Sequence, residues 1–291
     1  MQKGGITKMT ENSSLDEDLQ REINKLNLDD KEKLIVLRNL KNINPLTFVP
    51  QHIEFTDKHV KFGVITDLHI GHNHYRPDVL NHAKKNFKRQ GIEFIVNAGD
   101  TIEGMSGREG HIYELAHIGY SEQMKYFQEQ FRGFHGLDVF SIEAQDSHSG
   151  WFHNKSNMGV DIGPELDRRS KAYKFIGYDE QDIILDNGLK IRLRHPGGGT
   201  AYAISYKMQK YIESISGGQK PNIIVQGHFH KSNYLFYRNI HAFDAGCLQE
   251  QSPFMKKKGS PAMLGYWIID AYMNKKKGVE SVKSEFIPFY D

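Results

Sequence analysis

The chain has 291 residues, of which 25% are charged and 11% aromatic, and a formal net charge of +2. That length can bury a large core and that composition excludes a disordered chain, while so small a net charge does not by itself point to nucleic acid. Its one cysteine, Cys247, excludes an intrachain disulfide and a cysteine-based zinc site; no apolar run of about 18 residues suits a membrane span, and Met1 to Ser14 has no signal-peptide core, so a cytoplasmic location is expected.

Residues 1–13 read as a flexible start. Ser14 with Glu17 has capping-box spacing, and Leu15, Leu19, Ile23 and Leu26 repeat at helical period. Asp29 with Glu32 opens a second helix, carried by Leu34, Leu37 and Leu40 and stopped by Pro45 and Pro50. Residues 14–42 are therefore expected to form a helical hairpin, an extension over 1–50 ahead of a main domain over 51–291. Its apolar face suits packing, self-association or a protein partner; a nucleic-acid arm is the sharper alternative.

In the main domain, Lys61 to Thr66 reads as a buried strand. Val79, Leu80, Ala83 and Phe87 share a helix face ended by Gly91, and Ile92 to Val96 is the next strand. This is a βαβ unit with parallel strands. Glu103 to Gly119 reads as a loop over a site, followed by a helix with Met124, Phe127 and Phe131. Val139 to Ile142 is a third strand, and 164–176 reads as helix. Asp186-Asn187-Gly188 between two apolar runs marks a hairpin and a change to a second sheet. After Pro196-Gly197-Gly198-Gly199, a helix is expected from about Thr200 to Ile215, then a strand over Asn222 to Gln226. Tyr234 to Tyr237, Ile240 to Phe243, Leu264 to Ile269 and Val279 to Phe286 read as antiparallel strands. The triplets Lys256-Lys257-Lys258 and Lys275-Lys276-Lys277 are the low-complexity segments, the second in a hairpin turn.

Four of the strand-like runs end in potential metal ligands. Asp67 and His69 follow Val64-Ile65, Asp100 follows Phe94 to Val96, His195 follows Leu189 to Leu193, and His228 and His230 follow Ile223 to Val225. On an extended backbone, residues two apart point the same way, so both histidines of Gly227-His228-Phe229-His230 should reach one sheet end. Taken singly the signals are weak, because an Asp-x-His is usually surface chance, a Gly-Asp usually a turn, and a lone histidine usually a satisfied loop residue. Their joint occurrence at strand ends is far more specific. Two carboxylates and four imidazoles without a thiolate suit Mn, Fe, Co, Ni or Zn rather than Ca. Six ligands exceed what one catalytic ion takes. They suffice for two ions sharing a carboxylate, the clamp used in phosphoryl displacement.

Asp67-Leu68-His69, Gly99-Asp100, His195 and Gly227-His228-Phe229-His230, in that order, resemble the calcineurin-like metallophosphoesterase superfamily. That superfamily includes SbcD-like nucleases, phosphodiesterases, phosphatases and the small subunits of archaeal replicative polymerases. The resemblance covers roughly residues 60–250. It implies a four-layer α/β/β/α sandwich. It also implies two divalent ions, Mn first among the candidates: Asp67, His69 and His230 on one, Asp100 bridging, His195 and His228 on the other. The implied activity is hydrolysis of a phosphodiester, in DNA or RNA, by metal-hydroxide attack. One block departs, for the family has Gly-Asn-His-Asp where this chain has Glu143-Ala144-Gln145-Asp146. Aligned on the aspartate, the metal-binding Asn becomes Ala144 and the catalytic His becomes Gln145. Slid by one, Gln145 stands as a ligand, and Asp146 or nearby His148 as the leaving-group acid. The altered block keeps two alternatives open, a catalytically impaired accessory or scaffold subunit of a nucleic-acid enzyme and a phosphomonoesterase. Arg108, Arg168, Arg169, Lys171 and Lys174 are candidate phosphate contacts, and Arg76, His72 and His74 candidate pocket residues. Tyr75, Trp151, Phe152 and Tyr202 suit either base stacking or packing under the loops.

Overall fold

Two six-stranded sheets lie between helices in the computed structural model, which describes residues 50–106, 108–134, 136–144, 162–274 and 278–290. The expected hairpin over 14–42, Gln145, Asp146, His148, Trp151, Phe152 and the second lysine triplet lie outside the described residues. In chain order come β1 (Gln51–Ile53), β2 (His59–Ile65), α1 (Pro77–Gln90), β3 (Phe94–Asn97), α2 (Tyr120–Phe131) and β4 (Val139–Glu143). Then follow α3 (Ile162–Arg169), β5 (Tyr173–Tyr178), β6 (Glu180–Leu185), β7 (Lys190–Arg194), α4 (Tyr206–Ser214) and β8 (Ile223–Gln226). The last are β9 (Ser232–Tyr237), β10 (Ile240–Ala245), α5 (Pro253–Lys258), β11 (Gly265–Asn274) and β12 (Gly278–Pro288).

One sheet has the order β12-β11-β2-β3-β4-β5 and the other β1-β6-β7-β8-β10-β9. β2, β3, β4 and β5 are mutually parallel, as are β7, β8 and β10, so the C-terminal ends of four strands gather at one edge of the first sheet and those of three at one edge of the second. Side-chain alternation builds the layers. On β8, Ile223 and Val225 join Val64, Val96 and Leu193 between the sheets, whereas Ile224 faces outward against Met208 and Ile212 of α4. On the other side Val79, Leu80, Ala83 and Phe87 of α1 pack with Phe127 of α2 and Leu166 of α3. The result is a four-layer α/β/β/α sandwich. α1 has the expected end signals, with Pro77 in its first turn, Lys88 and Arg89 in its last, and Gly91 left-handed at φ 67°.

Three local readings need correction. The stretch 164–176 is not one helix: α3 stops at Arg169 and Tyr173 starts β5, an edge strand parallel to β4. Asp167 holds the junction by accepting from the Phe175 backbone N–H at 2.7 Å, a tertiary contact that periodicity does not encode. The strands after β8 are not all antiparallel, since β10 pairs parallel with β8. The first lysine triplet forms the last turn of α5, capped by the Ser252 hydroxyl, with Pro253 next and left-handed Gly259 at the end. α4 starts at Tyr206 rather than Thr200. No helix among the described residues is long and apolar enough to cross a membrane.

Candidate metal centre

The six ligand candidates leave their strands at the same edge, five of them with a left-handed backbone. Asp67, His69, Asp100, His228 and His230 have φ of 49°, 51°, 49°, 76° and 51°. Only three other non-glycine residues among those described have positive φ, so this uncommon conformation is concentrated at the strand ends. The expectation that His228 and His230 point one way is therefore corrected. The left-handed turns split the pair, and each imidazole joins a different group.

One group is Asp67, His69 and His230; the other is Asp100, His195 and His228, with the ligand atoms of each group within 4.8 Å of one another. The loop after β2 lies on the loop after β3 through Asp67 N–H to Gly99 O and His69 N–H to Asp100 O, 3.1 and 3.0 Å. The Asp67 carboxylate accepts from the His228 N–H at 2.8 and 3.0 Å, joining the two sheets. Asp179, the single residue between β5 and β6, takes the chain from one sheet to the other, and its carbonyl accepts from the His195 N–H at 2.7 Å. Two glycines permit this closeness. A Cβ on Gly227 would lie 2.8 Å from Asp67 Oδ2, and one on Gly99 would lie 2.5 Å from His195 Nδ1.

Ring orientation is set from behind. His69 Nδ1 lies 2.6 Å from Glu103 Oε2, which turns Nε2 inward, 3.1 Å from His230 Nε2 and 3.6 Å from Asp100 Oδ2. His195 Nδ1 donates to the Ala98 carbonyl at 2.7 Å, which turns its Nε2 inward, 3.4 Å from the same Asp100 oxygen. One carboxylate oxygen thus faces an imidazole from each group. In the neutral rings the inward nitrogens carry the lone pairs a metal takes. Glu103 is itself held by His111 Nε2 at 2.6 Å, while His111 Nδ1 accepts from the Ser106 N–H at 2.9 Å.

Burial pushes the Asp67 carboxyl up to about 6, with the nearby Asp100 charge adding to the rise. Burial pulls His195 and His69 down, but Asp100 with Asp67 and the Ala98 carbonyl outweighs it for the first, and Glu103 with Asp100 and Asp67 for the second, leaving them at about 10 and about 9. His230 is held well below the ordinary range by burial and by His69. Among the described residues, His195 Nε2 and His230 Nδ1 are buried without a hydrogen-bond partner. Two carboxylates, four imidazoles and orphaned buried ring nitrogens fit divalent cations of the borderline class.

The altered third block ends β4. Glu143 is buried away from the centre, accepting from the Thr101 hydroxyl and, at 2.5 Å, from the Tyr173 hydroxyl. Ala144 lines a cavity of about 410 Å³ with Asp179, Arg194, His195, Gly198 and His228. Its methyl brings no donor atom to the second group.

The remaining candidates divide. Tyr75 is core, 6% exposed. Arg108 pairs with Glu114 through two hydrogen bonds and covers the Phe254 ring, and Arg76 pairs with Asp78 and Glu250. His72 is buried near Glu114, and His74 is half-buried near Glu250. Arg169 and Lys171 line a separate hollow with Asp138, just ahead of β4 and so at the opposite end of the sheet from the metal edge. Arg168 and Arg169 pair with Glu165, and Lys174 lies 3.8 Å from Asp138. None of these four cations reaches the centre as a phosphate contact.

No protein-family model matches the chain. Curated relatives include the DNA polymerase II small subunit of Halobacterium salinarum in two strains, each 22% identical over 253 residues, covering 73% of this chain and 47% of the relative. The chain thus spans about half the length of the curated relatives it matches. Similar solved structures include a novel archaeal phosphodiesterase, 13% identical with a TM-score of 0.42, covering 78% of this chain and 100% of that one. The phosphoesterase Yfce of E. coli is 14% identical with a TM-score of 0.42, covering 77% and 98%. A putative 5'-nucleotidase of Staphylococcus aureus is 13% identical with a TM-score of 0.44, covering 80% and 55%. By the order of its motifs and the architecture of its two sheets, the chain has a four-layer fold of the metallophosphoesterase type and resembles the calcineurin-like metallophosphoesterase superfamily.

Proposed function

We propose that the chain is a two-metal-dependent phosphoesterase that hydrolyses phosphodiester bonds, with nucleic acid as the substrate class. The observation that carries this reading is the Asp100 oxygen standing 3.6 and 3.4 Å from imidazoles of two separate ligand groups. In this reading Asp67, His69 and His230 hold one ion, His195 and His228 hold the other, and Asp100 is shared. Mn is the first candidate, with Fe, Co, Ni and Zn suited to the same donors. Bound ions would supply Lewis-acid polarisation of the phosphoryl oxygens and activation of water. The chain's own part is to hold six ligands in fixed directions, with Glu103 and the Ala98 carbonyl setting two of the rings. Gln145 as a further ligand, and Asp146 or His148 as the group that protonates the leaving oxygen, belong to the same proposal.

A second reading, an accessory subunit, has one specific support: Ala144 brings no donor atom where the resemblance, aligned on the aspartate, puts a metal-binding amide. Its partner would be a nucleic-acid enzyme, by likeness to the polymerase small subunits, and residues 14–42 are the proposed contact. Hydrolysis of bis-para-nitrophenyl phosphate in Mn, beside Asp100→Asn and beside the mono ester, tests both. Turnover of the diester that is lost in Asp100→Asn is expected. Absence of turnover in Mn, Co, Ni and Zn, with no stoichiometric metal in the purified protein, would favour the accessory reading. Faster turnover of the mono ester would make it a phosphomonoesterase.

A further inference from the structure

We infer that Tyr202 and Tyr206, on the segment that follows His195, form a base-stacking platform for single-stranded nucleic acid running across the metal edge. This rests on the nucleic-acid part of the proposed function and deepens it from nucleic acid in general to unpaired strands.

Packing beneath the loop does not account for Tyr202, whose side chain is fully exposed at 107% relative accessibility, with Ile204 at 41% and Tyr206 at 48%. Nor is the segment remote from the centre. His228 Nε2 lies 2.7 Å from the Gly198 carbonyl, and Lys231 Nζ donates to the Ala201 carbonyl at 3.0 Å. A metal-ligand candidate and the residue after another therefore tether the backbone on the way to Tyr202. Cations accompany the rings, with Lys210 Nζ 5.8 Å from the Tyr206 ring and Lys207 beside it on α4. The other flank repeats the pattern. Phe254 of α5 is 38% exposed, Lys258 Nζ lies 5.9 Å from its ring, and Lys256 and Lys257 are exposed in the same helix. That flank joins the first group's loop through Glu250 N–H to His74 O at 2.9 Å.

The chemistry selects the ligand. An exposed aromatic face offers stacking to any base that is not already stacked on both sides, and neighbouring cations neutralise the phosphates between bases. A duplex hides its base faces and would use only the cations. A protein partner would use the rings but has no need of the cations beside Tyr206 and Phe254, nor of their continuity with a centre suited to phosphate ester chemistry.

The test is fluorescence anisotropy with the full chain in a metal chelator, so that no cleavage occurs. The probes are a labelled oligothymidylate of about 12 nucleotides, within the site size of strand-binding grooves, and a duplex of equal length. The single strand is expected to bind more tightly than the duplex. Tyr202→Ala should weaken single-strand binding by about tenfold, the size of one lost stack, and Tyr202→Trp should restore it. Melting curves check that each variant is folded. The proposal is overturned if Tyr202→Ala binds the single strand as the parent does, if it loses single strand and duplex equally, or if Tyr202→Trp fails to restore binding. An apolar peptide partner with no single-strand affinity would be read as the first of these. Because binding is read without metal, an absence of diester turnover bears on the phosphoesterase reading and leaves the platform to be judged on its own.

Discussion

The two ligand groups both face Asp100 and differ in what stands behind them. Behind the Asp67–His69–His230 group is a second layer of charge, Glu103 clasped between His69 and His111, all of it buried. Behind the Asp100–His195–His228 group are backbone carbonyls, those of Ala98 and Gly198, and beside it lies the 410 Å³ cavity floored by Ala144. A carboxylate behind an imidazole raises its basicity as well as orienting it, whereas a carbonyl mainly orients. On the proposed two-metal reading, the first group would be the closed, stronger site and the second the open one. An open coordination position is what a catalytic ion needs, and a closed one suits an ion that holds a framework.

That contrast can be broken at its shared point first. Asp100→Asn keeps the shape but removes the charge that faces both groups. Calorimetric titration with Mn should show both sites weakened, each by at least about a hundredfold, the upper end of what even an outer partner costs. Loss at one site only would mean that Asp100 does not bridge. Glu103→Gln should have the next largest effect and a lopsided one. Glutamine offers one acceptor oxygen where two imidazole N–H groups need one each, so either His69 or His111 must turn. The first site should weaken by about 10- to 100-fold while the second changes little. Equal weakening of both would erase the distinction drawn here. Smaller again is the thermal effect. Mn at a hundred times the dissociation constant of a site should add about 2.7 kcal/mol. For a chain of this size that raises Tm by roughly 5–10 °C, and Glu103→Gln should reduce the rise at the same Mn concentration.

The six candidate ligands were legible as a set because each follows an apolar run, and strand ends are where open α/β sheets collect their chemistry. Glu103 and His111 were not legible. They sit in a polar segment without periodicity, and only the tertiary path of that segment turns them toward His69. The sole hint was a carboxylate three residues after Asp100. The layers could be read from alternation, as in Ile223, Ile224 and Val225, whose middle member faces α4. β5 could not, because Arg168-Arg169-Ser170-Lys171 suits a helix locally, and the strand exists by pairing with β4. Left-handed backbone at His69, His228 and His230 ran against residue preference, which is where local rules fail at functional sites.

The finest test of the contrast is at Ala144. If the second group is open because a methyl follows β4, then Ala144→Asn should partly close it by placing an amide oxygen on the cavity floor beside His195 and His228. Affinity at the second site should rise, by about tenfold or less, since a single neutral oxygen adds to three stronger ligands. The cavity has room for the added atoms, so melting temperature should hold. Ala144→Leu, branched like Asn but bulkier and without an oxygen, separates ligation from filling: it should give no gain in affinity. A gain with both would point to the cavity walls being tightened rather than to a new ligand. A gain with neither would mean that the second group takes its remaining coordination from elsewhere in the chain, and that the departure at Glu143–Ala144 is no defect. In diester turnover the two cases oppose each other, because an added ligand that occupies the position open to water should strengthen the ion and slow the reaction together.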